Sequence, residues 1–201
     1  ANDTVAGAVA LTLNIPVVGT TVSAADNYQT SAANPPFTTV YQTNTATASP
    51  GLDVVYSFTA PAAGEYTFRL KATTAATVSP VLYAASSLAN GTVTALEAAN
   101  RPTGTGLHSS EEVVITMTSG QLVFLVVDAA ANTAGYGFSL VAQQYVNEAD
   151  NAGNATPAGA QGYSAATFGL RGTIIAGDTD YYSLGTLAAG QRVFAMTETI
   201  S

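Results

Sequence analysis

Residues 122–127 read Leu122-Val123-Phe124-Leu125-Val126-Val127, six apolar side chains in a row, three of them β-branched. Successive side chains of a strand point to opposite faces, so a short unbroken apolar run predicts a strand with no wet face. Such a strand belongs in the middle of a sheet covered on both sides. The segments around it alternate instead. Val54-Val55-Tyr56-Ser57-Phe58-Thr59, Tyr66-Thr67-Phe68-Arg69-Leu70 and Val113-Val114-Ile115-Thr116-Met117 swap polar and apolar side chains at period two. Each predicts a strand with one wet face. A strand around Val81 and one over Gly137-Phe138-Ser139-Leu140-Val141 complete the series, and Pro61-Ala62-Ala63-Gly64 and Ser119-Gly120 supply turns. The expected fold is all-β: an antiparallel β-sandwich of jelly-roll type.

Two stretches lack this periodicity. Residues 24–50 are rich in Thr, Asn, Ala and Pro and are read as a long surface loop, with one short strand near residues 38–42. Residues 86–110, which contain the turn pair Asn90-Gly91, are read as a second long loop.

Composition narrows the function classes. The 201 residues include no Cys, which removes disulfides, thiolate metal sites and thiol chemistry together. Five Lys and Arg against thirteen Asp and Glu give a net charge of -8, which argues against nucleic acid and makes divalent cations the more natural partners. Although 47% of the residues are hydrophobic, no stretch reaches the roughly 18 apolar residues of a membrane span. Charged residues are only 9% of the chain; Thr, Ser, Ala and Gly stand where Lys and Glu are usual, a bias that points to a secreted protein or the extracellular cell surface.

The chain also repeats itself. Asn2-Asp3-Thr4-Val5-Ala6-Gly7-Ala8 recurs as Asn154-Ala155-Thr156-Pro157-Ala158-Gly159-Ala160, and Gly19-Thr20 recurs as Gly172-Thr173. Tyr56-Ser57-Phe58 followed by Ala62-Ala63-Gly64 returns without a gap as Tyr182-Ser183-Leu184 followed by Ala188-Ala189-Gly190, and Phe68 falls on Phe194. The expected organisation is a complete sandwich module over residues 1–144 and the N-terminal half of a second over 145–201. Half a sandwich leaves an apolar face and unpaired edges. Either the chain has been cut, or another polypeptide completes the module.

These residues resemble the bacterial pre-peptidase C-terminal domain family, small β-sandwiches appended to secreted peptidases and other exported proteins. The resemblance in the second copy rests on Asn147-Glu148-Ala149-Asp150-Asn151, Gly172-Thr173-Ile174, Gly177-Asp178-Thr179-Asp180-Tyr181-Tyr182-Ser183 and Ala189-Gly190-Gln191-Arg192-Val193-Phe194. In the first copy it rests on residues 53–64. The resemblance implies calcium ligands at Glu148, Asp150, Asn151, Asp178 and Asp180, a set of hard oxygen donors suited to that ion. The other reading of these acids is that they cap turns and solvate a loop, and both stay open. The first copy has Leu52 and Val54 at the two Asp positions with Asp53 between them, and no calcium is expected there.

No catalytic apparatus is legible. The one His, His108, is followed by Ser109 and Ser110 in a loop and is read as solvated. Glu111 and Glu112 are adjacent on a strand and so point to opposite faces, which disqualifies them as paired carboxylates. Tyr56, Tyr66 and Tyr83 are read as packing residues, whereas Tyr28, Tyr41 and Tyr163, in less regular segments, are the candidates for a surface that binds polysaccharide or protein. Two functions follow: a non-catalytic structural or adhesive surface protein that self-associates or pairs with a neighbouring β-module, or a calcium-binding, substrate-binding accessory region of a larger secreted peptidase or hydrolase.

Overall fold

The computed structural model describes residues 2–28, 51–74, 80–89, 92–99, 110–129, 135–148, 154–163, 169–172, 176–177 and 179–190. Its strands are β1 (Val9–Ala10), β2 (Val17–Thr20), β3 (Val54–Thr59), β4 (Gly64–Ala72), β5 (Pro80–Ala89), β6 (Thr92–Ala99), β7 (Ser110–Met117), β8 (Leu122–Ala129), β9 (Gly137–Asn147), β10 (Gln161–Gly162), β11 (Gly169–Arg171) and β12 (Tyr182–Ser183). The only helical elements among the described residues are two 3₁₀ turns, Val5–Gly7 and Pro157–Gly159. The chain divides into two compact units, Ala1–Tyr145 and Val146–Ser201.

The first unit is a β-sandwich. One sheet runs β1-β3-β8-β5-β6; in the other, β9 lies between β2 and β4, and β4 pairs with β7. Period-two alternation turns Tyr66, Phe68, Leu70 and Ala72 of β4 inward, with Glu65, Arg69 and Lys71 outward. They meet Tyr56 and Phe58 of β3 and Val123, Leu125 and Val127 of β8 in one core. Phe58 anchors it, with ring centroids 5.2 Å from Tyr66 and 5.4 Å from Phe68.

The run at 122–127 lies in the middle of its sheet, between β3 and β5, as its composition predicts, except that Leu122 at its start is exposed. Val123, Leu125 and Val127 face the core between the sheets, while Val126 turns into a second apolar cluster with Val55, Val81, Tyr83 and Ala85. Tyr28 joins that cluster, and Val5 and Ala8 pack against it, so the N-terminal segment and the end of the β2 connection cover the outer face.

Several sequence expectations change. The stretch read as a loop over 86–110 instead carries β5 to Ala89 and the whole of β6, paired antiparallel from Leu82↔Ala99 to Ala89↔Thr92. Asn90-Gly91, which follows β5 and precedes β6 in sequence, lies outside the described residues. Residues 29–50, with the strand expected near 38–42, and His108 also lie outside them. Tyr28 is no surface residue: it is buried, and its hydroxyl accepts the Val5 N–H at 2.8 Å. Tyr163 is half-buried, and Tyr41 lies outside the described residues. Glu111 and Glu112 do take opposite faces; Glu111 is buried, and Glu112 pairs with Arg69 at 2.6 Å.

Candidate functional site

The same local structure occurs once in each unit, where the sequence repeats. In the first, Gly7 N–H donates to Thr4 O at 3.0 Å and Ala8 N–H to Val5 O at 3.2 Å, closing the 3₁₀ turn. The chain then runs parallel to β3, with Val9 opposite Tyr56 and Ala10 opposite Ser57. Two further bonds fix this hook: Val55 N–H to Asn2 O at 2.6 Å and Leu11 N–H to Ser57 O at 2.8 Å. In the second unit Gly159 N–H donates to Thr156 O at 3.0 Å, and β10 runs parallel to β12 with Gln161 opposite Tyr182 and Gly162 opposite Ser183. Tyr181 N–H reaches Asn154 O at 2.9 Å and Tyr163 N–H reaches Ser183 O at 2.7 Å. Each bond has its counterpart. Pro157, which lacks an N–H and favours helical φ, starts the second turn where Val5 starts the first.

A tyrosine hydroxyl sits under each hook. Asn2 Nδ2 donates to Val55 O at 3.1 Å, next to Tyr56, whereas Asn154 Nδ2 donates to Glu148, which also holds the Tyr182 hydroxyl. The repeated glycines explain themselves here: a Cβ on Gly19 would lie 2.5 Å from the Tyr56 hydroxyl, and one on Gly172 would lie 3.1 Å from that of Tyr182 and 2.6 Å from Glu148 Oε2. In the second unit Glu148 also reaches this tyrosine. Its Oε1 accepts from Asn154 Nδ2 at 2.6 Å and from the Tyr182 hydroxyl at 3.0 Å. Partial burial, the Glu148 carboxylate and the nearby charge of Asp180 push the Tyr182 hydroxyl up to about 12.

Of the five residues implied as calcium ligands, Glu148 and Asp180 are thus brought to bear on one tyrosine. Asp150, Asn151 and Asp178 lie outside the described residues. Among the described residues no group of three or more His, Cys, Asp or Glu is arranged to hold a metal ion. The two carboxylates have the hard oxygen chemistry that calcium takes, but two cannot supply its six to eight donors.

Asp53, which stands in the first unit between the positions that match Asp178 and Asp180, is used differently. Asp53 is buried; its Oδ2 accepts the N–H groups of Asn27 at 2.7 Å and Tyr28 at 2.8 Å, and its Oδ1 has no hydrogen-bond partner among the described residues. Burial pushes its carboxyl up to about 6, with Asp26 and Asp3 adding to the rise and the two N–H groups opposing it. It is a latch that holds Tyr28 over the outer face.

Sequence reasoning missed Asn154, a buried side chain that donates to the same Glu148 oxygen as Tyr182. Its signal was present in the repeat, where it falls on Asn2.

The chain is similar in structure to a pre-peptidase C-terminal domain of a collagenase from Bacillus anthracis, with 12% identity and a TM-score of 0.41 over 68% of this chain and 94% of that one. It is similar to a CBM35 from Cellvibrio japonicus, with 13% identity and a TM-score of 0.31 over 65% of this chain and 97% of that one. A family 35 carbohydrate-binding module from Clostridium thermocellum gives 14% identity and a TM-score of 0.28 over 63% and 97%. No family model matches the sequence, and no curated protein does. None of these likenesses identifies a family.

Proposed function

We propose that the chain is a non-catalytic, extracellular structural or adhesive protein built from two copies of one β-module of pre-peptidase C-terminal type. The second copy is finished by strand addition from a neighbour. One observation carries this reading: the two hooks share their hydrogen bonds and register, yet the strand under the first is buried in a sandwich and the strand under the second is exposed. Tyr56 and Phe58 are 5% and 2% exposed, whereas their counterparts Tyr182 and Leu184 are 36% and 43% exposed. Covering such a surface is a physical motive for assembly. Light scattering after size exclusion, with electron microscopy, tests it. Oligomers or filaments whose formation protects the Tyr182 amide from exchange are the expected result, and a strict monomer with that amide already protected overturns it.

A second reading is an accessory region of a larger secreted enzyme that binds calcium through Glu148, Asp150, Asn151, Asp178 and Asp180 and takes a polysaccharide or protein ligand. The convergence of Glu148 and Asp180 on Tyr182 favours it. Calcium is then expected to raise the melting temperature, and replacing Asp178 and Asp180 with Asn to abolish the shift. No shift on titration ends this reading.

A further inference from the structure

We infer that residues 25–28, turned at Ser23 and latched by Asp53, are a strap that lifts by itself, and that pH sets how often it lifts: shut in acid, looser near neutrality.

The near end of the strap is fixed. Thr21 is buried; its N–H donates to Tyr136 O at 2.9 Å, and its hydroxyl oxygen accepts the Tyr136 N–H at 3.0 Å. The chain then turns, with Ala24 N–H on Thr21 O at 3.0 Å and Ser23 at a φ of 68°, in the left-handed region that a side chain disfavours. Beyond the turn, residues 24–28 belong to no strand or helix. Ala25 and Asp26 are exposed, Asn27 is half-buried, and Tyr28 alone is buried. A segment with so little apolar burial and no ladder opens ahead of the sheets it lies on.

Polar bonds hold it, and they centre on one residue. Asp53 donates its N–H to Ala25 O at 3.1 Å, and its Oδ2 accepts the N–H groups of both Asn27 and Tyr28. Two more bonds tie the strap to the N-terminal segment: Asn27 Nδ2 to Asp3 O at 2.6 Å, and Val5 N–H to the Tyr28 hydroxyl at 2.8 Å. Lifting carries the Tyr28 ring away from the cluster of Val55, Val81, Tyr83 and Val126.

The placing of Asp53 makes this latch sensitive to charge. The side chain is buried, its Oδ1 has no hydrogen-bond partner among the described residues, and the charged groups that bear on it are Asp26 of the strap and Asp3 of the N-terminal segment, both acidic. The closed strap therefore favours a proton on Asp53. Once lifted, it lets water reach the carboxyl, which then ionises at its ordinary value. With about 6 in the closed form against 3.8 in the open one, lifting grows easier as pH rises between the two.

Amide exchange of the full chain, followed by NMR at pH 5 and pH 7 and corrected for intrinsic rates, tests the inference. Protection of the Asn27 and Tyr28 N–H groups is expected to fall about tenfold between the two conditions. Low urea is expected to leave these two amides unmoved while it speeds exchange in β8, because local opening exposes little new surface. Asp53→Asn, which keeps an oxygen for both N–H groups, is expected to abolish the fall. Exchange of Asn27 and Tyr28 that quickens with urea in step with β8 means that the strap opens only with the whole unit, and it overturns the inference. So does protection that stays level between the two pH values, or a fall that survives in Asp53→Asn.

Discussion

The two hooks are the same piece of backbone in two settings. Under the first, β3 is sealed by β8 on its far edge and by aromatic rings on its inner face; under the second, β12 meets a two-residue strand and little else among the described residues. The hook's geometry therefore does not depend on the sandwich. Its bonds are local or made to one short strand, and what the sandwich adds is burial.

The sharpest way to break this comparison is to truncate equivalent side chains. Phe58→Ala removes a ring packed between Tyr66 and Phe68 and is expected to cost about 3–5 kcal/mol in denaturant unfolding. Leu184→Ala, at the matching position, is expected to cost under about 1 kcal/mol in dilute solution and to weaken association instead. A large loss of monomer stability in Leu184→Ala means the second unit is already closed.

Glycine substitutions come next. Gly19→Ala drives a methyl group onto the Tyr56 hydroxyl and to 2.6 Å from the Phe138 ring, both held in the core, and is expected to cost about 2–3 kcal/mol. Gly172→Ala meets mainly the end of the Glu148 side chain, which can swing away, at a cost under about 1 kcal/mol. Thermal melts of both variants decide it.

Asp53 gives a pH-dependent difference between the units. Between its ordinary value of 3.8 and about 6 the folded chain holds a proton that the unfolded chain releases. Stability from this group is highest below that window and falls as pH rises through it, by about 3 kcal/mol in all. Asp53→Asn keeps an oxygen for the Asn27 and Tyr28 N–H groups, so it is expected to be more stable than the parent at pH 8 by about 1–2 kcal/mol and no more stable at pH 4. Urea melts at the two pH values check the sign.

The smallest effect lies at the second hook. Glu148→Gln removes the charge beside Tyr182 and is expected to bring its hydroxyl down from about 12 toward the ordinary value of 10, seen by carbon NMR of the labelled ring. Stability should barely change.

How much of this was legible follows from how long each element is. The strand at 122–127 and its alternating neighbours announce themselves because five or six residues suffice to show a period. β1, β10 and β12 are two residues each and show none; only the repeat marked those stretches, and it gave their equivalence without their shape. β6 was lost because the loop-like composition around Asn90-Gly91 outweighed the hairpin signal. Tyr28 was misplaced because its segment is irregular, and what buries it is a distant carboxylate, Asp53, that no local pattern announces. At the candidate site, Glu148 and Asp180 were named through family likeness, whereas Asn154 becomes visible only once its side chain is seen bonded to Glu148.

The Arg69–Glu112 ion pair between β4 and β7 is partly open to water. Thirteen acids stand against five bases, and the mutual repulsion of that net charge of -8 is what dissolved salt screens. The chain's melting point should therefore rise modestly from dilute buffer to brine, as read by thermal melts at the two salt levels.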